Sequence, residues 1–319
     1  MDALDREAPA YAAVKVWRPH TLEEALRLKR QFGQTARYVA GGTWLRTRWE
    51  AGEAAMPLHL ISLEYIADMH AIQEMPFTGD PDSYIRIGAM VSLASLIESP
   101  LVKEGAPLLQ AAARSIAAPS VRELATVGGN VLTRSGDLVP ALAALDAQLV
   151  LYTGNAPAGS HNSGGDERLP LIEWLAAAGD ELGCCLVAGI EIAVGQPNKR
   201  YWFRKVGRRE SFSPSVVTVA GAFSIDAGTG RPADVRIAVS GAGLSCTRLY
   251  DAETAAEQEA DGARVYAAAR GGIPSVADDF AGSAYRTMAA ANIVAAELDA
   301  AAHRPAVSGE GAIDEKPAG

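Results

Sequence analysis

Cysteine is scarce in this 319-residue chain: two are adjacent, Cys184-Cys185, and the third is Cys246. Three thiols so placed exclude a disulfide framework, a C-x-x-C metal pair and the cysteine run of a plant-type iron–sulfur cluster. Histidine is equally thin. His20, His59, His70, His161 and His303 are scattered, without the spacing of metal ligands. No apolar run reaches the length needed to span a bilayer. The acidic start, Met1-Asp2-Ala3-Leu4-Asp5-Arg6-Glu7, lacks the apolar core of a secretion signal. Basic charge is short as well, with 29 Lys and Arg against 38 Asp and Glu, a formal net charge of −9. That balance argues against nucleic acid as the main partner and supplies no polybasic membrane anchor. A reduced, cytoplasmic protein is the expectation.

What the chain does have is core-forming material. Hydrophobic residues make up 49% of it, and its length suits two or three domains. It is organised around Leu124-Ala125-Thr126-Val127-Gly128-Gly129-Asn130, followed by Asp137-Leu138-Val139-Pro140. A shorter echo lies upstream in Val39-Ala40-Gly41-Gly42-Thr43. Each begins with an apolar or β-branched run and breaks into paired glycines before a polar residue. Paired glycines end a strand where the backbone turns sharply or approaches something closely. Such a turn leaves N–H groups free to face an anion, and Thr43, Thr126 and Asn130 add groups that bond phosphate or sugar oxygens. Either these are two ordinary turns, or a diphosphate is clamped between them.

Taken in order, residues 1–12 read as a flexible N-terminus. Val14-Lys15-Val16-Trp17 reads as a short strand, and Thr21 with Glu24 forms a capping box for a helix through Leu28-Lys29. Arg37 to Ala40 is a strand running into the first glycine turn, and Leu58 to Leu63 is another. These make one small α+β unit over about residues 13–66. A second unit, over about residues 67–178, opens with the alternating strand Ser83 to Ala89. Ser92 caps a helix ending before Pro100, and Pro107 starts the next. The second glycine turn, a short apolar helix from Ala141 to Leu145 and a strand over Ala147–Tyr152 follow. Residues 153–168, rich in Gly, Ser, Asn and Pro, read as a hairpin tip or loop. A third unit, 179–302, holds the strands Leu186–Ala193, Val216–Ile225 and Asp234–Ser240. Between them lies an aromatic and basic segment, Tyr201 to Arg209, and Ala-rich helices run from Ala252 to Ala302. The stretch 303–319 has little apolar content, so disorder is expected there.

These motifs, in this order, resemble the FAD-binding medium subunit of molybdenum hydroxylases, the xanthine dehydrogenase and carbon monoxide dehydrogenase group. The residues that carry the resemblance are Ala-Gly-Gly-Thr at 40–43, Arg86-Ile87-Gly88-Ala89, the run Ile116 to Asn130, Asp137-Leu138-Val139-Pro140-Ala141-Leu142, Phe203 to Arg209, and Arg286. The match covers nearly the whole chain.

The resemblance implies an α+β fold with a p-cresol methylhydroxylase-type FAD-binding domain of two subdomains. A C-terminal domain with a three-stranded antiparallel sheet and a helical bundle would follow. It implies non-covalent FAD with its diphosphate between two loops. The first loop carries Arg37, Tyr38, Val39, Ala40, Gly41, Gly42, Thr43 and Trp44, the second Ala125, Thr126, Val127, Gly128, Gly129 and Asn130. Ala118, Asp137, Leu138, Leu182, Phe203 and Lys205 are implied as further contacts. Asp137 would accept bonds from the ribityl chain or ring, and Lys205 would favour the anionic reduced flavin. Without the resemblance, Arg204-Lys205 and Arg208-Arg209 read as a solvated basic strand edge.

Two departures from the family pattern stand out. The segment 131–136 is short and carries Arg134, and Trp44 occupies a position where Asp or Asn is common. As implied partners, a large molybdopterin-binding subunit and a small [2Fe–2S] subunit would hold the molybdenum cofactor and the clusters, with NAD as a candidate acceptor. The substrate would be an N-heterocycle, xanthine-like by the lean of Arg18 to Arg30, or an aldehyde. No residue is nominated as catalytic or as a metal ligand. The alternatives are a flavin-free scaffold of the same fold and a stand-alone flavoprotein oxidase.

Overall fold

The computed structural model describes residues 13–76, 83–154, 166–177, 185–195, 198–208, 215–258 and 261–303. Its first unit is a small parallel sheet. Strand β1 (Lys15–Trp17) leads through helix α1 (Leu22–Phe32) to β2 (Ala36–Val39), then through helix α2 (Thr43–Glu50) to β3 (His59–Ser62). The strand order is β1-β3-β2, and β3 runs parallel to both neighbours. The expected capping box starts α1: Glu24 N–H donates to Thr21 Oγ1 at 3.1 Å, and the Glu24 carboxylate accepts from His20 N–H. Helix α2 is a correction, because the sequence reading placed only a turn between β2 and β3. Its two Thr and two Trp are weak helix formers, and no side chain caps it.

The second unit is an antiparallel sheet. Its strands are β4 (Ile72–Pro76), β5 (Ser83–Gly88), β6 (Gln148–Tyr152), β7 (Asp166–Pro170) and β8 (Leu186–Ala193), in the order β4-β5-β8-β6-β7. Helices α3 (Leu93–Glu98), α4 (Pro100–Gly105), α5 (Pro107–Arg114), α6 (Pro119–Arg122), α7 (Val127–Val131), α8 (Val139–Ala144) and α9 (Leu171–Ala176) fill the connections. Three readings change here. The second glycine pair lies inside helix α7, not in a turn after a strand, because Thr126 caps that helix by accepting Gly129 N–H. Residues 166–168 open β7 instead of extending the loop. Strand β8, read as the start of the third unit, pairs with β5 and β6 and is central to this sheet. Its side chains are buried from Leu186 to Ile192, the mark of a strand covered on both faces.

The third unit is a four-stranded antiparallel sheet in the order β12-β11-β10-β9. Its strands are β9 (Lys199–Gly207), β10 (Ser215–Ile225), β11 (Pro232–Gly241) and β12 (Leu244–Arg248). The expected three-stranded sheet is four-stranded: it loses β8 to the second unit and gains β9 and the short β12. Helices α10 (Tyr250–Gln258), α11 (Gly262–Gly272) and α12 (Ser283–His303) complete the chain.

Two cores result. One gathers the first two units with Tyr201 and Phe203, and the other takes Trp202, Val217, Val219 and the apolar faces of α10, α11 and α12. Alternate residues of β9 thus face different cores. Helix α8 is buried along its length between them. Arg248 ties the cores together through Asp146 at 2.7 Å and Glu253 at 2.6 Å. The expected N-terminal segment, residues 1–12, lies outside the described residues, as does the expected tail 303–319 except for His303, which ends α12.

Candidate functional site

The site grows from the start of α2. Gly42 takes the left-handed conformation, φ 69°, and is the N-cap, so it brings no side chain to the helix end. The first helical bond is Arg46 N–H to Gly42 O at 2.9 Å. The N–H groups of Thr43, Trp44 and Leu45 precede it and are uncapped by any side chain. No acidic side chain occupies the first turn, so the end keeps the partial positive charge of a helix N-terminus. A cavity of about 520 Å³ opens there, lined by Gly41, Gly42, Thr43 and Arg46, with Trp49, Met56 and Leu124 as apolar walls.

The two glycine motifs meet at this point. A Cβ on Gly41 would overlap the carbonyl oxygen of Leu124, so the first turn rests directly on the backbone that opens the second motif. In that second motif most donors are already used. Val127 N–H donates to Val91 O and Gly128 N–H to Ala89 O, each at 2.9 Å, and Asn130 N–H donates to Thr126 O at 3.0 Å. The expectation of free N–H groups therefore fits the first turn and not residues 127–130 of the second. Thr126, Val127 and Gly128 are buried, leaving Ala125, Gly129 and Asn130 with accessible surface.

The two glycines of α7 differ. A Cβ on Gly128 would stand 2.7 Å from Ala89 Cβ, so this glycine serves packing. Gly129 is exposed, and its Cβ would meet only Thr126 Oγ1 at 3.0 Å. A Gly129→Val chain should therefore keep its fold, with thermal unfolding within about 1 kcal/mol of wild type, while losing flavin. Fluorescence titration with FAD checks this, and unchanged affinity would remove Gly129 from the site.

The Asp-Leu-x-Pro stretch is positioned by three side chains from elsewhere. Asn130 Oδ1 accepts Leu138 N–H at 3.1 Å. Asp137 Oδ1 accepts from Thr218 Oγ1 at 2.7 Å, and its Oδ2 lies 2.8 Å from Lys205 Nζ. Lys205 and Thr218 are cross-strand partners on β9 and β10, so the sheet register brings both to one carboxylate. Lys205 Nζ also donates to Ser115 O at 2.9 Å. Lys205 is thus not a solvated strand edge, and Asp137 offsets the charge it was expected to lend a flavin. Arg204 pairs instead with Glu297 at 2.7 Å, and Arg208 with Asp278 at 3.0 Å. Arg209 lies outside the described residues.

Between these two centres runs the segment 115–124. Ala117 sits at φ 47°, a strained angle for a non-glycine residue. The Arg122 guanidinium holds it, donating to the carbonyls of Arg114, Ile116 and Ala117. Ser115 is held by Lys205 at one end, and Leu124 rests on Gly41 at the other. Arg122, Thr218 and Ser115 were not nominated from the sequence; the positive φ at Ala117 has no signature there.

Other expected contacts are placed differently. The Leu138 side chain is fully buried in the core, so it has no free surface to touch a ring. Phe203 is 9% exposed, on the same face of β9 as Lys205. Tyr38, Val39 and Ala40 are half-buried, Tyr38 and Ala40 packing against the first core, while Arg37 is exposed. Ala118 caps α6, and Trp44 is exposed with the Arg48 guanidinium 4.9 Å from its ring centre. Arg134 takes a left-handed backbone, φ 60°, and stacks on Trp174 at 4.4 Å. That explains its place in the short segment 131–136 as packing. Leu182 lies outside the described residues.

The family profile described as FAD binding domain in molybdopterin dehydrogenase matches residues 12–182. The carbon monoxide dehydrogenase medium chain of Hydrogenophaga pseudoflava is 37% identical over 139 residues, 43% of this chain and 46% of that one. The aligned region therefore spans about half the length of that relative. The nicotinate dehydrogenase FAD-subunit of Eubacterium barkeri is 27% identical over 220 residues, 65% of this chain and 68% of that one. A solved chain of the Hydrogenophaga carbon monoxide dehydrogenase superposes with a TM-score of 0.79 at 25% identity, covering 91% of this chain and 97% of the other.

Proposed function

The chain belongs to the family of FAD binding domains in molybdopterin dehydrogenases, and from that premise we propose that it is the flavin-carrying electron-transfer subunit of a multi-subunit molybdenum hydroxylase. The observation that carries this reading is the open end of α2, where Gly41 rests on Leu124 and uncapped N–H groups face a cavity. A flavin-free scaffold would have no use for an uncapped helix end beside two bare glycines.

FAD supplies reversible exchange of one or two electrons when bound. The chain's own residues do the rest. The uncapped N–H groups at the start of α2, beginning with Thr43, would hold the diphosphate without a long side chain to desolvate. Gly42 and Gly129 leave room beside it. The Gly41–Leu124 contact sets the distance between the loops. Asp137, fixed by Lys205 and Thr218, presents a rigid acceptor whose remaining lone pairs suit a sugar hydroxyl or a ring N–H. Phe203, on the same face of β9 as Lys205, adds apolar surface. In this reading the FAD-binding part extends through β8, and the C-terminal part begins with β9.

Electrons would reach this subunit from [2Fe–2S] clusters on a small partner and originate at a molybdenum cofactor on a large one, and would leave to NAD⁺ or another acceptor. Three cysteines cannot ligate such clusters, which supports placing them on partners. The substrate would be an N-heterocycle or an aldehyde, since relatives are named both for nicotinate and for glyceraldehyde. A cytoplasmic assembly agrees with this; among the described residues no helix is long and apolar enough to cross a membrane.

Isolation from the native host tests the proposal. Two further chains should co-purify, with molybdenum and iron in the complex. The pure subunit should show at most slow NADH-to-dye activity and no oxidation of purines or aldehydes. Robust substrate oxidation by the metal-free chain would establish the stand-alone oxidase instead.

A further inference from the structure

Helix α2 carries a cation that neither glycine motif includes. Arg46 lies one turn inside the helix and lines the same cavity as Gly41, Gly42 and Thr43. Its guanidinium is held by Glu50, Nε to Oε1 at 2.7 Å, on the cavity wall. Both side chains are open to solvent, at 77% and 63% exposure. An exposed i,i+4 pair of this kind is weak, screened by water and easily given up. With Arg on the N-terminal side of Glu, its orientation is also the less favourable one for the helix dipole. A cation so tethered is available to a stronger acceptor in the same cavity.

We infer that Arg46 is a positioning residue for the cofactor's diphosphate, and that Glu50 acts as its competitor, an internal carboxylate that the diphosphate must displace. The inference rests on the FAD-binding reading of this site and adds to it a residue that sets affinity. The chemistry fits. A guanidinium bonds a phosphate through two parallel N–H groups, a stronger contact than its bond to an exposed carboxylate. The α2 N-terminus supplies partial positive charge but no full charge. The Lys205 charge is already offset by Asp137. Arg46 is therefore the full cation that lines the cavity with the glycine pair.

The competitor makes the inference testable by direction. Arg46 and Glu50 are exposed on a helix, and Gln is a good helix former at either position, so both substitutions should leave the fold intact. The full-length chain, stripped of flavin, is titrated with FAD and with riboflavin, which lacks phosphate, following flavin fluorescence. Arg46→Gln should raise the Kd for FAD about tenfold and leave that for riboflavin unchanged. Glu50→Gln should lower the Kd for FAD, because Arg46 is released. The double variant should match Arg46→Gln alone, and the salt dependence of FAD binding should weaken in both. Wild type that binds FAD while Arg46→Gln binds it equally well overturns the inference alone. So does a Glu50→Gln variant that binds FAD more weakly. A wild-type chain that takes up no FAD overturns the inference together with the reading beneath it.

Discussion

A Gly41→Ala chain should be recovered without flavin. The added methyl group would occupy the place of the Leu124 carbonyl oxygen, and that oxygen belongs to a backbone that cannot swing aside like a flexible side chain. The first loop would have to lift off the second, moving the start of α2 away from Gly129. Overpacking of this kind typically costs about 1–3 kcal/mol, too little to unfold a chain with two cores. The predicted result is a folded protein with a lowered unfolding temperature and no bound FAD. Gly129→Val, by contrast, should lose flavin with almost no loss of stability. The two variants separate a glycine that holds the loops together from one that leaves room for the ligand. Near-normal flavin content in Gly41→Ala would mean that contact between the loops is not needed for binding.

Arg286→Met should cause the largest loss of stability. Arg286 is 2% exposed on α12. Its Nη1 donates to Val216 O at 3.0 Å and to Ala242 O at 2.7 Å, and its Nε to Ala281 O at 3.4 Å. Its Nη2 lies 2.5 Å from Asp278 Oδ2. One side chain thus joins the C-terminal helix to β10 and to the loop after β11. Methionine fills the space but leaves the carbonyls unbonded, and breaking a buried charged network costs about 3–5 kcal/mol. Chemical denaturation should show that loss in the C-terminal core.

Acid sensitivity gives a second signature of the same cluster. The Arg286 guanidinium beside Asp278, with backbone N–H groups from Phe280 and Ala281, holds that carboxyl well below its ordinary value. A depressed folded-state pKa contributes stability that is complete above the unfolded-state pKa of about 4 and is lost as pH falls below it. Wild type should therefore lose stability below about pH 4. Arg286→Met should lose less over that range, because part of the contribution is already gone.

Much of this architecture was legible from local chemistry. The Thr21–Glu24 box, Pro107 at a helix start and the alternation of β5 are signals within a few residues, and each element formed where its signal lay. Helix α2 was not legible, since Thr43, Trp44, Thr47 and Trp49 carry little helix preference and Gly42 offers no capping side chain. None of its residues is buried, so it carries no apolar stripe to read either. The place of β8 was also hidden, because a continuous apolar strand reads the same in either sheet until its partners are known.

The site divides along similar lines. The glycine pairs announced themselves by type, but their separate roles depend on what faces each Cα: the Leu124 backbone for Gly41, Ala89 for Gly128 and only the Thr126 hydroxyl for the exposed Gly129. The convergence of Lys205 and Thr218 on Asp137 depends on sheet register between distant segments, which no local pattern encodes. Arg122 is a local case, bonding the carbonyls of Arg114, Ile116 and Ala117 a few residues back, but the strained turn at Ala117 that brings them together has no sequence signature.

The central claim is that the open end of α2 and the second glycine motif hold one FAD without a covalent bond. The visible absorption spectrum of the purified full-length chain, recorded before and after denaturation and removal of the protein, tests it most directly. The account predicts a yellow protein with about one FAD per chain, as a single site requires, and complete release of the flavin into the supernatant. A colourless chain that takes up no added FAD would contradict it, as would flavin that stays with the denatured polypeptide.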